Sequence, residues 1–243
     1  MLSIFRGLRR KRLARRPFPA EWEPIVERRL PFAVKLPADE RARFLLHLKV
    51  FALDKDWFGA AGLVITDEMK VAISGAAARL SRNLSLNLYD ELRTIVVYPS
   101  HYQHPDRDGT VVYGEAHRWG QVVLSWDAVV SGLVNATDGH HTALHEFAHV
   151  LDSSDGAFDG TPELHDHRDY HAWAKVFSQR YFALKASPNT NVLRPYGATN
   201  EAEFFAVATE AFFEKPRQLK LKAPDLYQEL VRYYRVDPSA TAR

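Results

Sequence analysis

Eleven residues, TALHEFAHVLD from Thr142 to Asp152, constrain this chain more than any other stretch. Two histidines and a glutamate stand in a frame that carries no other charge between Ala143 and Leu151: Ala143, Leu144, Phe147, Ala148, Val150 and Leu151. At 3.6 residues per turn these apolar side chains fall on most sides of a helix, so the helix belongs inside the protein. Buried imidazoles and a buried carboxylate are costly unless something satisfies them. The fold must therefore enclose this helix and give its three polar groups a partner, either a metal ion or hydrogen bonds in the core.

The chain has no cysteine. Disulfides, thiolate metal sites and cysteine nucleophiles are excluded, and a metal would have to be held by His, Asp or Glu. With 243 residues, 46% of them hydrophobic and 12% aromatic, the chain is globular and long enough to bury a substantial core. No apolar run approaches the length of a membrane span. The first residues carry cations with no apolar segment after them, unlike a secretory signal. A cytoplasmic location is expected.

Arg6, Arg9, Arg10, Lys11, Arg12, Arg15 and Arg16 precede the first acid, Glu21. Without those seven, 25 of the chain's 32 cations face all 30 acids, a balance of −5. Residues 1–16 are accordingly read as a basic, poorly ordered arm, and residues 17–243 as one domain. Such an arm can touch nucleic acid, anionic lipid or an acidic partner. No nucleic-acid motif follows it, so a nucleic-acid partner is not expected.

Beyond the arm, short helices broken by Pro31 and Pro37 lead to a helix from Ala38 to about Leu53, with apolar residues at helical spacing. Another helix begins at Asp67, with small residues suited to close packing. TIVVYP, Thr94 to Pro99, reads as a buried strand, and the runs flanking GEAHRWG between Gly109 and Trp126 as a hairpin-like pair. Val130 to His141 reads as a loop able to cover a site. Helices follow from the HEFAH segment onward: Thr161 to about Leu184, Asn200 to Glu214, and Pro216 to about Tyr234. Strands followed by helices predict an α+β fold, mostly helical, with a small sheet ahead of the HExxH helix.

His145 and His149 are four apart, so both rings project from one face of the helix. That spacing suits one tetrahedral zinc ion, and Glu146 lies beside them, placed to take a proton from metal-activated water. A catalytic zinc needs a third protein ligand and one open position. Asp155 stands where the longer pattern HExxHxxGxxH/D places that ligand, but Asp152 occupies the glycine position of the pattern. His165, His167 and His171 lie in a charged segment that reads as a solvated helix face. Glu203 and Glu210 are seven apart on one face of TNEAEFFAVATEAFFEKP, among Phe, Ala, Val and Thr. Carboxylates in such surroundings are normally paired or bound to metal. Glu203 is the expected third ligand, with a helix-capping role after Asn200 as its alternative. Glu210 is expected to steady a histidine N–H. Tyr196, in the turn before this helix, can donate its hydroxyl to an oxyanion, or simply pack its ring.

HEFAH followed some fifty residues later by YGATNEAEFFA resembles the catalytic domain of anthrax lethal factor, a zinc metallopeptidase. HEFAHVLD together with EFFAVATEAFFEKP is more similar still to the Mlc titration factor family, a resemblance spanning about Pro17 to Tyr234. It implies a zincin-like domain with one zinc per chain and a cytosolic, aminopeptidase-like peptidase acting on small peptide or protein substrates. It places His145, His149 and Glu203 on the metal, with Glu146 as general base and Tyr196 beside it. It further implies binding of a transcriptional repressor. In that class of fold a strand edge near the zinc helix holds the substrate extended, and Gly120 to Trp126 is the candidate here. Two rival readings accompany the enzyme: a zinc-stabilised protein that sequesters a repressor with little hydrolysis, and a structural protein with a chance motif. A purely structural zinc would need no base such as Glu146 and would usually have four protein ligands.

Overall fold

The structure, a computed structural model, describes the backbone of residues 2–103, 111–112, 114–117, 120–135, 137–188 and 192–241. Side chains are described for the same residues except 2–5, 102–103, 111–112, 114–117, 155 and 241. The contacts group the chain into two compact units, Met1–Val134 and Asn135–Arg243, where the sequence reading has one domain after the arm.

In the first unit, the segment read as a frayed arm is helix α1 (Leu2–Ala14). Leu13 and Arg10 are buried, Arg10 pairs with Asp90, and Lys49 donates to the Ala14 carbonyl at 3.0 Å. Next come α2 (Glu23–Arg29) and α3 (Pro31–Val34). Each carries a proline in its first turn, where a missing N–H costs nothing. Then α4 (Ala38–Asp54) packs against α5 (Asp67–Ser81). Gly75 of α5 lets the Leu30 side chain approach the helix backbone. A core of Trp22, Val26, Leu30, Ala33, Phe44, Leu48, Ala52, Val71 and Ala78 results.

Between and after these helices run β1 (Asp56–Gly59), β2 (Thr94–Tyr98), β3 (Tyr102–Gln103), β4 (Val111–Val112), β5 (Gly114–His117) and β6 (Gln121–Ser125). Four of them form a sheet in the order β1-β2-β6-β5. β1 and β6 are parallel to β2, with Ile95 opposite Val122 and Val97 opposite Leu124, all four fully buried. The expected hairpin exists, but its first arm is Gly114–His117, antiparallel to β6. The valine run that was expected to supply that arm pairs with β3 instead.

β6 has a partner on each side, so its backbone groups are already used. Gly120–Trp126 is therefore not a free edge for a substrate strand; among the described residues β1 and β5 are the edges of this sheet. Of the segment read as a loop, Val130 to His141, residues 130–134 belong to helix α6 (Trp126–Val134), while the described residues between 135 and 141 are in neither helix nor strand.

The second unit is helical. Its elements are α7 (Thr142–Asp152), α8 (Asp169–Ala186), α9 (Glu201–Glu214), α10 (Pro216–Lys222), α11 (Pro224–Tyr234) and α12 (Pro238–Thr241). The predicted helix from Pro216 to Tyr234 is two helices, because Pro224 cannot continue α10. Helix α9 is apolar nearly all round and lies buried from Phe204 to Glu214. Trp173 and Phe177 of α8 stack at 3.9 Å, and Phe204 and Phe205 of α9 close on them. Phe212, Tyr227 and Tyr234 continue this aromatic core. Packing α7 directly against α9 brings the HExxH helix beside the two glutamates. Among the described residues no helix is long and apolar enough to cross a membrane.

Candidate metal centre

Helix α7 opens on His141, whose Nδ1 accepts the Leu144 N–H at 3.3 Å and caps the first turn. His145, the fourth residue of α7, begins the polar face, and His149 stands one turn further, with ring centroids 4.7 Å apart. Both are buried, as is Glu146 between them. Helix α9 opens on Asn200, whose Oδ1 accepts the Glu203 N–H at 2.9 Å. The capping role considered for Glu203 thus belongs to Asn200, while the Glu203 side chain turns to the histidines. Glu201 is exposed on the opposite side.

Three ligand atoms converge. Glu203 Oε2 lies 2.9 Å from His145 Nε2 and 3.4 Å from His149 Nε2, and the two Nε2 atoms are 3.1 Å apart. Tetrahedral zinc bonds of 2.0–2.1 Å separate neighbouring ligand atoms by about 3.3 Å. His145, His149 and Glu203 therefore fit around one metal ion, and these three form the group able to hold one among the described residues.

The surrounding charges point the same way. Burial opposes charge on His145, yet Glu203, Glu210 and Glu146 offset it and push its pKa up to about 10. Burial likewise opposes charge on Glu203, but the two histidines hold its carboxyl far below the ordinary range. The pocket is built to hold positive charge, whether as a proton or as a metal cation.

Glu210 is fully buried on α9. Its Oε1 accepts the His141 N–H at 2.7 Å, and its Oε2 meets His145 Nδ1 at 3.2 Å. A carboxylate only accepts here, so Nδ1 carries the proton, and a bound metal would take the Nε2 lone pair. Arg194 pairs with the same Oε2 and also donates from Nε to the Gly139 carbonyl at 3.1 Å. Despite the cost of burial, His145 and Arg194 keep Glu210 ionised, with its pKa lowered. Arg194 escaped the sequence reading. Its signal was indirect: a buried glutamate on an apolar helix calls for a cation, and Arg194 stands two residues before Tyr196.

Tyr196 lies in a 3₁₀ turn, Pro195–Ala198, half exposed. Its ring centroid is 5.8 Å from that of His145, and its hydroxyl bonds to Glu203. Burial and the neighbouring Glu203 push its pKa up to about 12, so the hydroxyl keeps its proton at neutral pH. His165 is exposed and binds the Tyr233 carbonyl at 2.8 Å, away from the cluster. The alternative ligand Asp155 sits on a 3₁₀ turn, Ser153–Asp155, and its side chain lies outside the described residues. The chain turns back at Gly156, φ 88°, so Asp152 can remain helical without the glycine that the longer pattern expects.

The model of the glucose-regulated metallo-peptidase M90 family matches residues 5–235. The chain belongs to that family. Its M90 membership and its mostly helical α+β fold, with a small sheet ahead of the HExxH helix, are those of a zincin-like metallopeptidase domain. It is 39% identical over 244 residues to the uncharacterized protein slr2042 of Synechocystis sp., covering 95% of this chain and 89% of the relative. It is 27% identical over 237 residues to Mlc titration factor A of Serratia proteamaculans, covering 91% and 88%. The figure is also 27%, over 235 residues, for Mlc titration factor A of Pectobacterium atrosepticum, covering 90% and 87%.

Proposed function

We infer that this M90 chain is a zinc-dependent peptidase, aminopeptidase-like in preferring small peptides, with one zinc held by His145, His149 and Glu203. The convergence of three ligand atoms at separations suited to one tetrahedral ion carries the reading. The donors are nitrogen and oxygen with no thiolate, and three protein ligands leave a position open for chemistry. Zinc bound there would polarise a carbonyl and bring the pKa of water down to about 7.

The chain's own residues do the rest. Glu146 takes a proton from the attacking water and returns it to the leaving amine nitrogen as the C–N bond breaks. One water is consumed, giving a carboxylate and an amine. Tyr196, protonated at neutral pH, donates its hydroxyl to the oxygen that gains negative charge. Glu210 and Arg194 hold His145 in the tautomer that presents Nε2.

The test is zinc per chain by elemental analysis on wild type, Glu203→Ala and Glu146→Gln, alongside hydrolysis of aminoacyl chromogenic amides and short peptides. Wild type should carry about one zinc and turn over; Glu203→Ala should lose most zinc; Glu146→Gln should keep zinc without turnover. A folded wild type that takes up no zinc when it is supplied would end this reading.

Similarity over 91% of the chain to a protein named Mlc titration factor A favours a second reading, binding of a transcriptional repressor. Repressor binding that survives in Glu146→Gln would separate that role from hydrolysis.

A further inference from the structure

The basic segment ahead of Glu21 has no part in the metal centre, and the structure divides its cations into two sets. Arg6, Arg10 and Leu13 recur at helical spacing on the inward face of α1, the helix that packs against α4. Arg10 pairs with Asp90, and Arg6 lies 3.8 Å from Glu91 while donating to the Asp90 carbonyl at 3.2 Å. Arg9, on the flank, lies 3.5 Å from Asp54. These inner cations are answered by acids of the same unit.

Lys11, Arg12, Arg15 and Arg16 are the other set. All four are exposed, and none forms an ion pair among the described residues. Leu8, Lys11, Arg12 and Arg15 stand at i, i+3, i+4 and i+7, so they gather on one outward face as α1 runs into the turn after Ala14. Leu8 is 57% exposed among them, and α1 carries no acid. Lys11 and Arg12 have a local use, since cations in a last turn complement the helix dipole. That use does not extend to Arg15 and Arg16 beyond the helix, nor to an exposed leucine. Like charges held together repel, and an anionic partner relieves the repulsion.

A cluster of four or more cations on a helix surface matches the charge of an anionic bilayer. Leu8 decides between lipid and nucleic acid. A phosphate backbone has no use for an exposed apolar side chain, whereas the interfacial layer of a bilayer takes it out of water. The four residues that open α1, Leu-Ser-Ile-Phe, add no charge.

We propose that the outward face of α1 is a docking surface for an anionic lipid membrane. Lys11, Arg12, Arg15 and Arg16 meet the headgroups, and Leu8 enters the interfacial layer between them. The contact is peripheral and reversible, and it does not depend on the metal reading above.

The experiment is co-sedimentation of the full chain with vesicles of phosphatidylcholine alone or mixed with phosphatidylserine, with a duplex oligonucleotide as the second probe. Wild type should bind the mixed vesicles, leave the neutral ones in suspension, and be released as salt is raised. Lys11→Gln/Arg12→Gln should bind the mixed vesicles about 25-fold more weakly, about fivefold for each cation removed. Leu8→Gln should weaken vesicle binding several-fold. Each variant should melt near wild type, because these side chains form no ion pair within the described structure. No binding of wild type to the mixed vesicles, tighter binding to the duplex than to them, or an unchanged affinity in Lys11→Gln/Arg12→Gln would each overturn the proposal. If that double variant does not fold, wild type decides by lipid charge: equal binding to neutral and mixed vesicles would overturn it.

Discussion

Arg194 reaches across to Glu210, a carboxylate with no solvent exposure, and pairs with the same oxygen that accepts from His145. Removing one partner of a buried ion pair leaves an uncompensated charge, a larger loss than the pair itself contributes. Arg194→Ala should cost about 3 kcal/mol of unfolding free energy in urea titrations. A change under about 0.5 kcal/mol, the scale of an exposed pair, would show that Glu210 does not depend on it.

Tyr196 keeps its proton because burial and Glu203 push its pKa up to about 12. As an oxyanion donor, its loss should act on turnover and spare the metal. Tyr196→Phe should retain full zinc while kcat falls by about 10²–10³. An unchanged kcat would reduce Tyr196 to packing in its turn.

His47 of α4 bonds to Ser81 of α5 at 3.0 Å inside the first unit. Burial, and then the charge of Arg43, lower its pKa to about 4. The unfolded chain therefore takes up the proton first, at about pH 6.5. His47 favours the folded state fully above that pH, and the contribution is lost as pH falls towards 4. The gap corresponds to about 3 kcal/mol. In His47→Gln, the drop in stability between pH 6.5 and 4 should shrink by that amount, measured by urea unfolding across the window.

Gly120 precedes β6 at φ 75°, and a Cβ there would overlap the Glu91 carbonyl. A left-handed backbone costs an alanine about 1–2 kcal/mol before any overlap. Gly120→Ala should lower stability by about 2 kcal/mol or more, read from the urea midpoint. A neutral substitution would mean that this turn shifts freely.

The HExxH helix was legible because its information is local. Apolar residues at helical spacing demanded burial, and four-residue spacing put His145 and His149 on one face. Helix α9 was legible for the same reason, down to the pair Glu203 and Glu210 on one side. β1 escaped because DWFG is four residues long, mostly exposed, and shows no alternation. The helix α1 was not read because its charge is visible in sequence, whereas the Asp90 that receives Arg10 is eighty residues away.

What the sequence determined by itself was which side chains share a helix face and which of them cannot be buried alone. Which atoms meet was decided by tertiary structure. Packing α7 on α9 turned two separate motifs into one cluster, where Glu210 meets the Arg194 guanidinium, and in the first unit pairing with β2 and β5 placed β6 between two neighbours. The reason is physical: helical periodicity is set by backbone geometry over a few residues, whereas hydrogen bonds and ion pairs depend on distances of a few ångströms between segments that only the folded chain brings together.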